Sequence, residues 1–330
     1  MGHAMERGGL PDASLRRHEE ALRLLDPDQP SALQADVLRW EGTVLRDRGR
    51  ASEAEPLYRR SLQIARDLGY ETGVAHGLNC LAALAQRRGD IVTADDLLTN
   101  ALMLAGKCGE MQLVTMIQTN LGIIADIRGD AAAALRYYRV ALQSSESIND
   151  EQQIVRVLVN FSCLLVRQEQ YDDAELVFSR GLALARARDD LLSEGMFEEN
   201  RAEARLARGE IEEAYPSICR ALEVAEQRRD DVRKAAALKL KGAYERLSGR
   251  PDLAVETLRY GLTLAAIGED ALLGGEILYQ FGLALHARDD AKVAHEVWKA
   301  ALDAFERIAA REWVARVHQR LSTGATGGYV

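Results

Sequence analysis

The closest approach to a catalytic signature in this 330-residue chain is Ala294-His295-Glu296-Val297-Trp298. A zinc hydrolase helix needs a second histidine one turn after the first, so that both imidazoles share a face and the glutamate serves as general base. Lys299 stands where that second histidine must be, so no metal is expected there. His18, His76, His286, His295 and His318 are spread along the chain, and Cys80, Cys108, Cys163 and Cys219 show no CxxC spacing. Neither a metal site nor a disulfide framework follows from such spacings, and most of these thiols read as small buried hydrophobes. No glycine-rich phosphate loop is present, and carboxylate pairs are no more frequent than 51 acids make inevitable. The expectation is no enzyme, no catalytic residue and no cofactor.

The glycines instead keep time with a repeat. Sliding the stretch 113–152 by forty residues finds the same landmarks again: Ala54, Ala94, Ala134, Ala174, Ala214, Ala254 and Ala294 fall in one column, and Leu62, Leu102, Leu142, Leu182, Leu222, Leu262 and Leu302 in another. Seven matches at one spacing make a repeat array, in which no unit buries its apolar face alone and neighbours must stack. Each unit reads as two amphipathic helices, A and B, joined at Gly49, Gly89, Gly129, Gly209 or Gly249, with Glu169 and Asp289 in the fourth and seventh units. Glycine supplies the left-handed conformation that ends helix A, so the glutamate and aspartate turns are expected to be strained or differently built. Helix A carries a small column (Gly42, Ala82, Gly122, Ser162, Ala202, Gly242, Gly282), and helix B a large one (Tyr58, Leu98, Tyr138, Phe178, Ile218, Leu258, Trp298). This predicts a knob and a hole at a constant address. Pro11 and Pro251 fall at the first turn of helix B, where the missing N–H is not needed. Pro56 and Pro216 stand slightly further in, and are expected still to lie where backbone donors have no helical partner.

Composition agrees with an all-α chain: hydrophobic residues make up 47% and aromatics only 5%, with six prolines. A net charge of −9 gives no support to direct nucleic-acid binding. The apolar runs are too short for a membrane span, and the start lacks a secretory core, so a cytoplasmic location is expected. Arginine outnumbers lysine 36 to six, which points to a bacterial source.

In order, Met1-Gly2-His3-Ala4 before Met5 reads as a cloning remnant, and residues 1–10 as a disordered start. Residues 11–321 form one solenoid: a half repeat at 11–26, seven repeats at 31–70, 71–110, 111–150, 151–190, 191–230, 231–270 and 271–310, and a capping helix at 311–321. Pro27 and Pro30 mark a linker ahead of Ser31, an N-cap. Half a unit at the start fits either a natural capping helix or excision from a longer chain. Residues 322–330, rich in glycine, form a flexible tail.

Leu121-Gly122, Gly129, Ala134, Tyr138 and Ala141 resemble the tetratricopeptide repeat pattern, and the resemblance runs over nearly the whole chain. Units of forty residues exceed the usual length of about 34 and are similar to the long-helix subclass of kinesin light chains, a cell-polarity scaffold and sensor domains of bacterial transcription regulators. The HEAT proline and its following Asp and Arg are missing. The resemblance implies a right-handed superhelix of antiparallel helix pairs. Its A helices would line a concave groove holding a protein or peptide, with an asparagine before the Leu-Gly pair bonding the guest backbone. Asn120, Asn160 and Asn200 occupy that column, while Trp40, Cys80, Leu240 and Gln280 depart from it. The alternative is that these amides bond neighbouring helices.

Around that column, three- and four-residue steps select Arg39, Arg46 and Asp47; His76, Asn79 and Arg87; Thr119, Ile123 and Asp126; Arg156 and Arg167; Glu199 and Glu203; Lys239 and Arg246; Tyr279 and His286. Arginines in units one, two and four could hold an acidic guest segment through bidentate forks; mixed charges are equally what a solvated helix face carries. The reading is a non-catalytic scaffold that binds a partner in its groove, or else the sensor arm of a larger bacterial transcription regulator or signalling ATPase. Self-association through terminal units is a further expectation, and no membrane partner is expected.

Overall fold

The computed structural model describes residues 11–25, 29–267 and 270–323. Sixteen helices and no strand occur among the described residues. The first, α1 (Pro11–Leu24), is the half repeat. The A helices are α2 (Ala32–Asp47), α4 (Glu71–Arg87), α6 (Met111–Ile127), α8 (Glu151–Arg167), α10 (Leu191–Arg208), α12 (Asp231–Leu247) and α14 (Ala271–Ala287). The B helices are α3 (Ala51–Asp67), α5 (Ile91–Cys108), α7 (Ala131–Ser147), α9 (Tyr171–Ala187), α11 (Ile211–Arg228), α13 (Pro251–Ile267) and α15 (Ala291–Arg307). The capping helix α16 (Arg311–Thr323) extends two residues beyond the expected 321, so Ser322 and Thr323 are helical rather than tail. The expected disordered start, Pro27 and the rest of the tail lie outside the described residues.

A single three-residue turn recurs every twenty residues. Its middle residue is left-handed at Gly49, Gly69, Gly89, Gly109 and Gly129, and equally at Asn149, Glu169, Asp189, Arg229, Asp289 and Ala309. The following N–H reaches back five residues to close the old helix, as Asp90 N does to Ala85 O at 2.9 Å and Asp130 N to Ala125 O at 2.9 Å. That same residue caps the new helix. Aspartates 90, 130, 150, 190, 230 and 270 each accept, through the side chain, the N–H three residues on, which satisfies one of the orphan donors at a helix start. Glu169 (φ 56°) and Asp289 (φ 67°) therefore keep the glycine geometry at a conformational cost, and no different turn replaces it.

Pro56 and Pro216 correct one expectation, because each is the sixth residue of its helix, beyond the first-turn donors. Each removes one internal hydrogen bond, and the helix continues through it.

Within each unit the knob fills the hole. A Cβ added to Gly42 would lie 2.7 Å from the Tyr58 ring, one on Gly122 2.5 Å from Tyr138, and one on Gly282 2.3 Å from Trp298. The seven alanines of the 54-to-294 column are fully buried. Successive A helices also pack laterally, α2 on α4 through to α12 on α14, and no comparable packing joins successive B helices. The row of A helices is therefore the shorter side of the stack, and the α-solenoid curves with that row inside.

Ala134→Leu forces a branched side chain into a filled junction and is expected to cost about 1–3 kcal/mol, read as a lower melting temperature. Glu169→Gly, at an exposed left-handed position, is expected to stabilise by about 0.5–1 kcal/mol. Relief of the left-handed penalty outweighs the added freedom of the unfolded chain.

Candidate functional site

The inner row encloses a cavity of about 650 Å³. Every helical residue on its wall belongs to α2, α4, α6, α8, α10 or α12, and the N-cap residues Glu110, Asp150, Asp230 and Asp270 complete it. Its floor carries Trp40, Met116, Ile123 and Met196, and its polar groups include His76, Asn79, Asn120, Gln153 and Asn160. Arg39, Arg46, Arg87, Arg156 and Arg233 face Asp47, Glu110, Asp150, Asp230 and Asp270 there, so the charge of the wall is balanced among the described residues.

Those charges hold one another. Arg46 Nε donates to Asp47 at 2.7 Å, and Arg87 Nη1 donates to Arg46 O at 2.7 Å. Burial alone would raise the Asp47 carboxyl, but Arg46, then Arg87 and Arg156, hold it below the ordinary value. Burial raises the Asp230 carboxyl, although Arg233 and Arg228 oppose it. His76 is pushed down to about 4 by burial and by Arg39, and is neutral at neutral pH.

A second regularity ties adjacent A helices together: polar side chains reach back 41 residues, one more than the repeat. Asn120 Nδ2 donates to Asn79 Oδ1 at 2.8 Å, Asn200 Nδ2 to Val159 O at 3.0 Å, Arg320 Nε to Tyr279 OH at 3.1 Å, and Arg167 to Asp126.

Of the residues singled out from sequence, Asn120, Asn160, Arg39, Arg46, Arg87 and Arg156 come together on the cavity wall, and so do Asp47, His76, Asn79 and Ile123. The others do not line it. Asn200 spends its amide on α8, at Val159 O and Ser162 Oγ. Arg167 is taken up by Asp126. Glu199, Glu203 and Lys239 lie behind the wall: Glu199 accepts from the wall residue Arg233 at 3.1 Å, and Lys239 meets Glu276 at 2.6 Å and Glu203 at 3.6 Å. Arg246 is half-buried and lies off the wall. Tyr279 is a correction: only 1% exposed, it sits edge-on to Trp313 under the capping helix rather than in the groove.

A family model for the tetratricopeptide repeat matches residues 42–68, in phase with the columns that recur in the other six units. The chain carries a tetratricopeptide repeat at that unit. Its solenoid is similar to the Rap conjugation gene regulator of plasmid pLS20 solved in complex with a Phr peptide, with TM-score 0.68, 17% identity, and coverage of 83% of this chain and 75% of that one. A Rap protein complexed with competence and sporulation factor gives 0.63 and 14%, covering 97% and 94%. A signal transduction ATPase with a tetratricopeptide repeat sensor, from Pyrococcus horikoshii, gives 0.57 and 13%, covering 96% of this chain and 53% of that one. At such identities the likeness is one of fold. No curated protein sequence matches the chain. Among the described residues no helix is long and apolar enough to cross a membrane.

Sequence reasoning missed Trp40, Gln153, Asp230, Arg233 and Asp270 on the cavity wall. Steps counted around one asparagine column describe the middle of each A helix of the solenoid, whereas in its later units the A helices enter the cavity by their first turns. The aspartate column 150, 190, 230 and 270 was the available signal.

Glu199 gives the solenoid a pH signature. Burial raises its carboxyl to about 7 from an ordinary 4.5, although Arg233 and Lys239 oppose this. The folded protein then holds a proton that the unfolded chain has released, so this group's contribution to stability falls as pH rises from about 4.5 to 7. His76 acts in the opposite sense below its ordinary value of 6.5, its contribution rising with pH. Glu199→Gln is expected to remove the fall, visible as a smaller drop in melting temperature between pH 5 and about 7.5 than in the wild type.

Proposed function

We propose that the protein is a non-catalytic recognition scaffold that holds a short peptide, or an extended segment of a partner protein, in the cavity enclosed by its A helices. The carrying observation is the cavity itself, about 650 Å³, walled by six successive A helices and within the ~300–1,000 Å³ typical of sites that enclose a small ligand. Apolar groups on its floor offer burial, and the amides of Asn79, Asn120 and Asn160 offer both donors and acceptors. Balanced wall charge supports a guest met chiefly through main-chain amides and neutral side chains. An acidic residue on that guest would have to compete with Asp36 for Arg39 and with Asp47 for Arg46. That a Rap regulator of similar fold is solved with a bound Phr peptide agrees with this reading. A cytoplasmic setting is part of the proposal.

A second reading has support of its own. The Pyrococcus horikoshii relative is a signalling ATPase in which such repeats are the sensor, and this chain spans about half of it. The same groove would then report a bound segment to a larger bacterial regulator.

The test is selection of peptides on the wild-type protein, followed by affinity measurement on Asn120→Ala/Asn160→Ala. The Asn160 amide bonds only its own helix, at Arg156 O, so that half of the change leaves packing intact. A loss of about tenfold with an unchanged circular-dichroism spectrum is expected for two amide contacts. Equal affinity in the variant would remove the groove as the binding site.

A further inference from the structure

The spiral does not stay open along its flank: its second unit meets its seventh. Gly89, in the α4–α5 turn, lies against Ile308 at the end of α15, and a Cβ built on Gly89 would stand 1.9 Å from Ile308 Cγ2 and 3.1 Å from its Cα. Two residues earlier, Arg87 Nε lies 4.0 Å from Asp270 Oδ2, the aspartate that caps α14. The same charges reach across the bore. Arg233 on α12 feels Glu199 and Asp230 first, then Asp270 and Asp47, and Arg87 feels Asp270, Arg46, Asp47 and Arg233. Units separated by 180 residues or more of chain thus share one apolar contact and one ionic network.

We infer that the contact between units two and seven is a clasp that keeps the cavity shut, and that a peptide enters or leaves when the clasp releases. This rests on the cavity being the peptide site, but its test uses no peptide, so either reading can fail alone. The clasp is built for release. It joins side chains of units distant in the chain, and its ion pair is loose, with Arg87 Nε 4.0 Å from Asp270 Oδ2. The Gly89–Ile308 packing and the Arg87–Asp270 pair join units far apart in the stack, so release there leaves the interfaces between consecutive units intact. A solenoid gated in this way binds its guest with an affinity reduced by the fraction of time it spends closed, and clasp-weakening changes raise that affinity.

Cys80 reports the opening, because its thiol lies on the cavity wall and is 6% exposed, whereas Cys219 is exposed on the outside. The experiment is alkylation of the intact protein with iodoacetamide, resolved by peptide mass spectrometry into the Cys80 rate relative to Cys219. Three variants are compared. Asp270→Asn keeps an N-cap side chain but removes the charge facing Arg87. Gly89→Ala drives a methyl into Ile308. Gly129→Ala has the same left-handed strain (φ 80° against 84°) with nothing within 4 Å, and is the control.

Asp270→Asn is expected to speed Cys80 alkylation about threefold to tenfold. Gly89→Ala is expected to speed it further and to enlarge the radius of gyration in X-ray scattering, while Gly129→Ala matches the wild type. The clasp is overturned if Asp270→Asn and Gly89→Ala, both folded by circular dichroism, protect Cys80 as well as Gly129→Ala does.

Discussion

A bulky side chain on each B helix lies over a position with little or no side chain on helix A, sixteen residues earlier. Gly42 takes Tyr58, Gly122 takes Tyr138, Gly242 takes Leu258 and Gly282 takes Trp298. This insertion sets how closely the two helices of a unit approach. Since the interior is close-packed and rigid, the same approach in every unit imposes the same angle on the next. The fully buried alanine column plays the matching part between units. Constant local packing accumulates into curvature, and the curvature turns a row of helices into a wall around a cavity.

Curvature also explains why polar groups are so heavily paired inside. Lateral packing of the A helices brings side chains 41 residues apart into register, and Asn120, Arg167, Asn200 and Arg320 use that register for hydrogen bonds between helices. Asparagine in mid-helix ordinarily weakens it, so each needs a partner. The neighbouring A helix supplies one for Asn120 and Asn200, and Asn160 takes the carbonyl of Arg156 on its own helix. A column that looks from sequence like a row of contacts for a guest is in part the seam of the wall itself.

What could be read from sequence was whatever repeats. The alanine column, the Gly122–Tyr138 address and the left-handed turns at Gly49 to Gly249 are fixed by neighbours within one unit or the next, and forty-residue spacing exposes them. Tyr279 was misread because the rule that faces helix A inward ignores the end of the stack, where Trp313 and Arg320 cover it. Asp270 and Arg233 were missed for the opposite reason: they reach the cavity through the rise of the spiral, a sum over several units that no single window contains. Gly89 looked like any other turn glycine, and only the meeting with Ile308 separates it from Gly129.

Balanced charge in a narrow cavity has a consequence for selectivity. Ions withdrawn from water gain little net stability when paired, but one left without its partner is costly. A guest that separates Arg39 from Asp36, or Arg46 from Asp47, must therefore supply a replacement of the same sign and geometry. A guest that threads between the pairs and bonds Asn79, Asn120 and Asn160 leaves those ion pairs intact and meets amides whose present partners are one another or a backbone carbonyl. On the proposed reading of the cavity as a peptide site, such a wall would disfavour strongly charged segments of either sign and favour extended peptides met through their main chain.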